Sequence, residues 1–326
     1  MKKVAIIGAG IAGLTCASEL QCRGVQVEVF EKSRGPGGRS STKRWDQTSG
    51  IGIDMGVPYI VKAQTKPLAV SVITSLLDAG AICEWRVNQK LNGQVESFDA
   101  YVGIPRMTAV VSALSNGLTL HRQARVTGIS YNETWSLFTE SSSYHHFDAV
   151  VLAIPAPQVI LIEGVDDAIV NAAQSIQFSA TNTLMLEMQS PMWFDDIDIV
   201  QVNGPKILSI IADYRKPGRN RGRFTYAVHS QPGWATNQFD TQSPDHILDD
   251  MLTDALTTTN RSTRLVMHAK LHRWKYAYLN GPAESLQCGY IRSTQSPLFA
   301  CGDWCQGHTI ANAFESGYLL AHNMLL

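Results

Sequence analysis

Val4-Ala5-Ile6-Ile7-Gly8-Ala9-Gly10-Ile11-Ala12-Gly13 decides the fold of this chain, because an apolar run passes straight into three glycines spaced G-x-G-x-x-G. Val25-Gln26-Val27-Glu28-Val29-Phe30 then leads to the carboxylate of Glu31. The order predicts a strand, a tight turn, a helix with Leu14, Ala17 and Leu20 on its inner face, and a second strand. Gly8 permits the turn, Gly10 lets a pyrophosphate approach the backbone, and Gly13 lets the helix lie against the strand. The free amides at the helix start, around Ile11 and Ala12, face the dianion. Glu31 can accept hydrogen bonds from ribose hydroxyls and repels a 2′-phosphate, so NAD or FAD is expected over NADP.

The composition agrees with a small-molecule enzyme. The chain has 326 residues, 44% of them hydrophobic, which suffices for two domains with real cores. Basic and acidic residues number 27 and 28, a net charge of -1, so there is no nucleic-acid footprint. Apolar stretches end at Gly, Pro or charge before membrane-spanning length, and Lys2-Lys3 leads directly into the first strand without a signal peptide. A soluble cytoplasmic protein is expected. Cys16, Cys22, Cys83, Cys288, Cys301 and Cys305 show no metal-site or disulfide pattern. Cys301 and Cys305 read as buried thiols rather than a redox pair.

After Glu31, residues 32–42 form a glycine-rich loop with Arg34, Arg39 and the hydroxyls of Ser40, Ser41 and Thr42, suited to wrapping a phosphate. Ile51-Gly52-Ile53 reads as a short strand that turns at Asp54-Met55-Gly56, beside a flat cofactor. Residues 61–100 read as largely helical around Leu68 to Leu77. Three short β segments follow, at 125–129, 135–139 and 149–154, a meander returning to a buried strand. Residues 166–290 mix alternating segments such as Leu184-Met185-Leu186-Glu187-Met188 with a helix from Pro244 to Leu256. The chain closes with a strand at 298–301, a turn at Gly302-Asp303, and a helix carrying Ile310, Ala313, Phe314, Gly317, Leu320 and Ala321. His145-His146 reads as a solvated pair in a hairpin turn, and no histidine cluster suggests a metal site.

Several separated motifs agree with one family. The Gly8–Gly13 turn with Glu31, Arg34-Gly35-Pro36-Gly37-Gly38-Arg39, Tyr101-Val102-Gly103-Ile104-Pro105, Ala153-Ile154-Pro155-Ala156-Pro157-Gln158, His272-Arg273-Trp274-Lys275-Tyr276-Ala277 and Gly302-Asp303-Trp304-Cys305 resemble those of renalase-like flavoproteins, within the amine-oxidase-like FAD superfamily. The resemblance spans nearly the whole chain and is weakest between residues 166 and 265. It implies an α/β protein: a discontinuous Rossmann-type FAD-binding domain at 1–60, 101–164 and 291–326, and a mixed α+β substrate domain at 61–100 and 165–290.

The resemblance further implies non-covalent FAD. Glu31 and Lys32 would sit at the adenosine ribose, Val126 would offer backbone to adenine, and Arg39 with Ser40 would lie near the pyrophosphate or the ring edge. Met55 and Gly56 would line the flavin, and Gly302 and Asp303 would meet the ribityl chain and pyrophosphate. The helix entered through His308 and Ile310 would aim its positive end at the flavin pyrimidine. Trp274 and Arg273 are the substrate-side candidates, Trp274 as a stacking wall or, on the plainer reading, as sheet packing.

The implied reaction is oxidation of dihydro-NAD(P) isomers reduced at ring C2 or C6, a hydride passing to flavin N5 and the electrons to O2. That chemistry asks for positioning more than for acid-base groups. Two segments depart from the family pattern, Asp54-Met55-Gly56-Val57-Pro58-Tyr59 beside the flavin and Gly307-His308-Thr309-Ile310-Ala311-Asn312 before the last helix, and both bear on the substrate. The alternatives are an amine oxidase or desaturase-like enzyme on an apolar substrate, and a flavin-binding protein without turnover.

Overall fold

The computed structural model describes residues 2–45, 52–280 and 289–324; Ile51 and Cys288 lie outside the described residues. Strand β1 (Lys3–Ile7), helix α1 (Ile11–Cys22) and strand β2 (Gln26–Glu31) follow one another as the glycine motif predicts. β1 pairs in parallel with β2 on one side and with Ala149–Leu152 on the other. They belong to a sheet of six strands in the order Tyr290–Arg292, Leu298–Cys301, Ala149–Leu152, β1, β2, Thr119–Arg122. Only the outermost pairing, Tyr290–Arg292 with Leu298–Cys301, is antiparallel. Parallel strands are covered on both faces, which is why Ala149–Leu152 and Leu298–Cys301 are apolar throughout and wholly buried.

The helix Ile310–Asn323 shares one core with α1, joining Phe314, Leu320 and Ala321 to Leu14, Ala17 and Leu20. On the opposite face lies a three-stranded meander, Val126–Asn132, Thr134–Thr139 and Ser143–Phe147, which packs Trp135, Leu137 and Phe147 against Ala5, Ile7, Val150 and Leu152. Its third strand is not the expected one: the segment at 149–154 stands instead in the six-stranded sheet, as Ala149–Leu152. His145 and His146 stand in the third of these strands rather than in its turn.

Residues 61–100 correct the expectation of a largely helical stretch. Only Val70–Asp78 forms an α-helix of more than one turn; Ile82–Leu91 and Gln94–Gly103 form a long antiparallel hairpin. Its turn is Asn92-Gly93, with φ of 50° and 82°, and the paired left-handed residues match the right-handed twist of the strands. The expected domain border at residue 100 falls inside this second strand. The hairpin joins an eight-stranded sheet in the order Val266–Asn280, Gln177–Met188, Phe224–Ser230, Ile207–Ala212, Ile199–Gln201, Ile82–Leu91, Gln94–Gly103, Ile60–Val61.

One face of this sheet packs on the helix Pro244–Thr258, with Ile247, Met251 and Leu256 against Leu184, Leu186 and Val228. The other face adds Met185, Ile199, Ile211 and Ala227 to the core that contains α1. The two sheets thereby share a core, and a large cavity opens between them. Among the described residues no helix is long and apolar enough to cross a membrane.

Candidate functional site

The cavity measures about 770 Å³ and takes its walls from the glycine turn, the 33–41 loop, the Met55 turn, the strand Val266–Asn280 and the start of the helix Ile310–Asn323. Gly8, Gly10, Ile11, Ala12, Glu31, Lys32, Arg39, Ser40, Met55, Val126, Gly302, Asp303 and Ile310 all line it, as do Trp274, Arg273 and His308. Two expected residues do not. Gly13 packs behind the turn, where an added Cβ would stand 2.2 Å from the Gly8 carbonyl oxygen. Gly56 presses on the 39–41 turn instead of the cavity: a Cβ there would fall 1.8 Å from the Arg39 carbonyl oxygen, which also accepts from Val57 N at 2.7 Å.

Glu31 is held by the backbone at its end of the cavity. The amides of Ala9 and Ser33 donate to its two carboxylate oxygens at 3.0 and 2.8 Å. Beside it Lys32 Nζ donates to Gln158 Oε1 at 2.9 Å, a partner that tertiary folding supplies. No side chain caps α1 at Gly10, and a Cβ added at Gly10 meets nothing within 4 Å. The uncapped amides and the open space beside them form a cradle for a phosphate group.

Across the cavity Arg39 makes a bidentate pair with Asp303, Nη1 to Oδ2 at 2.7 Å and Nη2 to Oδ1 at 2.5 Å, a fork that matches the planar carboxylate. Arg39 Nη1 also donates to the Ala277 carbonyl at 3.1 Å. That carbonyl is available because of a bulge. Ser179 pairs with Tyr278 but Thr181 pairs with Trp274, so Val266–Asn280 carries extra residues here, and the Ala180 amide donates to Thr236 Oγ1 instead.

Met55 forms the adjoining wall. Its amide donates to Ser41 O at 3.1 Å, and its carbonyl accepts from Thr183 Oγ1 at 2.7 Å and Trp274 Nε1 at 2.9 Å. The Trp274 ring meets His272 edge-on, with centroids 4.2 Å apart, so His272 is a wall residue rather than packing alone. Burial and the nearby Lys43 lower the His272 pKa, which favours the neutral imidazole. Arg273 lies along the wall, but its guanidinium turns away to donate to the Phe239 carbonyl and to cover the Phe239 ring at 4.3 Å. His308 stands just before the Thr309–Asn312 capping box that starts the last helix. Tyr276 and Tyr278 complete the aromatic wall.

Among the described residues the carboxylates of this wall are both engaged, Glu31 with amides and Asp303 with Arg39. Sequence reasoning missed Thr183, Gln158 and the buried charges behind Met55, because their partners lie more than a hundred residues away in the chain.

These residues fit an adenine dinucleotide: an uncapped helix start beside open space for phosphate, a fixed carboxylate at one end, and a flat aromatic wall at the other.

Residues 6–73 match the model described as NAD(P)-binding Rossmann-like domain, and residues 77–325 the model described as flavin containing amine oxidoreductase. The chain is 42% identical over 60 residues to the zeta-carotene-forming phytoene desaturase of Myxococcus xanthus, covering 18% of this chain and 11% of that protein. It covers about a tenth to a third of the length of the first curated relatives that it matches. Wild-type putrescine oxidase bound to putrescine has a similar fold, with a TM-score of 0.75, 14% identity and 99% of each chain covered. Cyclohexylamine oxidase from Brevibacterium oxydans IH-35A gives a TM-score of 0.75 at 12% identity, covering 99% of this chain and 98% of that one.

Proposed function

We propose, for a chain that belongs to the flavin-containing amine oxidoreductase family, that this FAD-dependent oxidoreductase oxidises a neutral or anionic reduced ring rather than a cationic amine. A dihydro-NAD(P) isomer reduced at ring C2 or C6 is the substrate class in view. The observation that supports the reading is the want of a free carboxylate in the wall. Among the described residues the lining carboxylates are Glu31, which accepts from the Ala9 and Ser33 amides, and Asp303, which pairs with Arg39, so neither is free to anchor an ammonium group.

In this reading the 1–60, 101–164 and 291–326 segments hold FAD without a covalent link, and 61–100 with 165–290 present the substrate. Glu31 binds the ribose, the α1 amides and Arg39 hold the diphosphate, and Met55, Trp274 and His308 bound the ring. Bound FAD supplies a two-electron acceptor that takes a hydride and yields the electrons to O2, giving H2O2. The dihydropyridine loses the hydride and becomes an aromatic pyridinium, so no side chain has to remove a proton. The protein holds the donor carbon against the acceptor and keeps Trp274 as a stacking surface.

Amine oxidation is the second reading, favoured by the aromatic wall of Trp274, Tyr276 and Tyr278. Anaerobic stopped-flow mixing decides between them. Dihydro-NAD isomers are expected to bleach the flavin within seconds while primary amines leave it oxidised, and bleaching by amines alone overturns the proposal.

A further inference from the structure

Directly behind the Met55 turn lies a cluster of four almost wholly buried charged side chains. The side chains of Asp54 and Lys216 are 0% exposed, with Asp213 at 1% and Arg219 at 5%. Lys216 Nζ lies 2.9 Å from Asp54 Oδ2 and 2.6 Å from Asp213 Oδ1, and Arg219 Nη2 lies 2.6 Å from Asp54 Oδ2. The other oxygen of Asp54 accepts from Thr42 Oγ1 at 2.6 Å and from the Met107 amide at 3.0 Å. Arg219 Nη1 in turn donates to the carbonyls of Gly103, Pro105 and Pro217. Thr42, Met107, Lys216 and Arg219, from three regions remote in sequence, all meet at the Asp54 carboxylate.

Such a cluster is a poor way to gain stability, because apolar side chains of equal volume would serve as well without desolvating four charges. Its position suggests another use. Asp54 precedes Met55 by one peptide bond, and the Met55 carbonyl holds Trp274 Nε1 and Thr183 Oγ1. A turn of the Asp54 backbone therefore moves the Met55 carbonyl and frees the indole. Burial would raise the Asp54 pKa, yet Lys216 and Arg219 hold it well below the usual carboxylate range, so the anchor stays charged.

We propose that Lys216 is a positioning residue of the FAD site: through Asp54 it fixes the Met55 carbonyl, and through that carbonyl the Trp274 ring. Lys216 does not line the cavity and acts on the cofactor and substrate only by this chain of contacts. The inference rests on the FAD reading above. It deepens that reading by assigning the site's rigidity to a residue 162 positions from Asp54.

Lys216→Met keeps side-chain length and removes the charge. Expected are a native far-UV circular dichroism spectrum, a changed visible circular dichroism of bound flavin, and at least a tenfold loss in kcat with KM changed less than threefold. Thr183→Val removes one hydrogen bond from the Met55 carbonyl without touching a charge, and is expected to change the flavin spectrum in the same sense. Met251→Ala opens a cavity in the core on the far side of the eight-stranded sheet and serves as a comparison of equal instability; its flavin spectrum stays that of the wild type. A wild-type flavin spectrum in folded Lys216→Met overturns the proposal whatever Thr183→Val shows, as does an identical spectral change in Met251→Ala. Should Lys216→Met not fold, an unchanged spectrum in Thr183→Val overturns it alone. A wild-type protein that takes up no FAD overturns the cofactor reading instead.

Discussion

Gly10 and Gly13 carry the same side chain for opposite reasons, and a methyl group separates them. At Gly10 it meets no protein atom within 4 Å, so Gly10→Ala folds with a melting temperature within about 2 °C of wild type. The same methyl occupies the phosphate cradle, and FAD affinity, read by fluorescence titration, is expected to fall at least tenfold, about 1.4 kcal/mol. At Gly13 the methyl lies 2.2 Å from Gly8 O, and the helix must move off the strand. Gly13→Ala should lose about 1–3 kcal/mol in denaturant unfolding whether or not FAD is present. Both roles were legible in the motif, since its spacing encodes local geometry. Asp54 was legible only as a turn residue. Its partners Lys216 and Arg219 stand 162 and 165 positions away, and no local pattern announces a contact that the fold alone creates.

Among the elements, strands were read well where burial on both faces made them continuously apolar, as in Ala149–Leu152 and Leu298–Cys301. The hairpin Ile82–Gly103 was missed because its outer half, Asn88 to Phe98, is largely polar and shows no buried alternation. The signal that could have found it is Asn92-Gly93, a dipeptide whose turn chemistry outweighs weak patterning. The bulge beside Ala180 had no signal in the residue types, since it depends on strand register.

The strand Phe224–Ser230 carries His229, 6% exposed, whose Nε2 has no hydrogen-bond partner. Burial, with the nearby Lys216 charge, lowers its pKa to about 4. The unfolded chain protonates near pH 6.5 and the folded one does not, so stability falls as pH drops from about 6.5 to 4. Urea titrations at pH 7 and pH 4 are expected to show that His229→Gln lessens this loss by about 3 kcal/mol. An equal pH dependence in the two proteins would contradict a neutral buried imidazole.

At the scale of the whole molecule, the Rossmann architecture followed from one motif repeated in sense at the other end of the chain: a strand, a glycine turn, a helix. The aromatic wall followed only in part: Trp274 was legible as a stacking wall, whereas Tyr276 and Tyr278 gain their place beside it only when the second sheet is laid over the first. A cofactor bound between two sheets recognises the native state alone. Adding FAD at a hundred times its Kd should stabilise the protein by about 2.7 kcal/mol, a rise of roughly 4 °C in melting temperature for a chain of this size. Differential scanning fluorimetry across a series of FAD concentrations checks this; a melting point indifferent to FAD would contradict a site shared by both sheets.

The order of strands in the six-stranded sheet also bears on biosynthesis. Leu298–Cys301 is the neighbour of Ala149–Leu152, and five strands of the eight-stranded sheet, from Gln177–Met188 to Val266–Asn280, are translated between them. At roughly 5–20 residues per second, a nascent polypeptide leaves the ribosome with an apolar edge bare for many seconds before its partner is made. Chaperone attendance during that interval, and aggregation when translation stalls short of residue 298, follow from the threading itself.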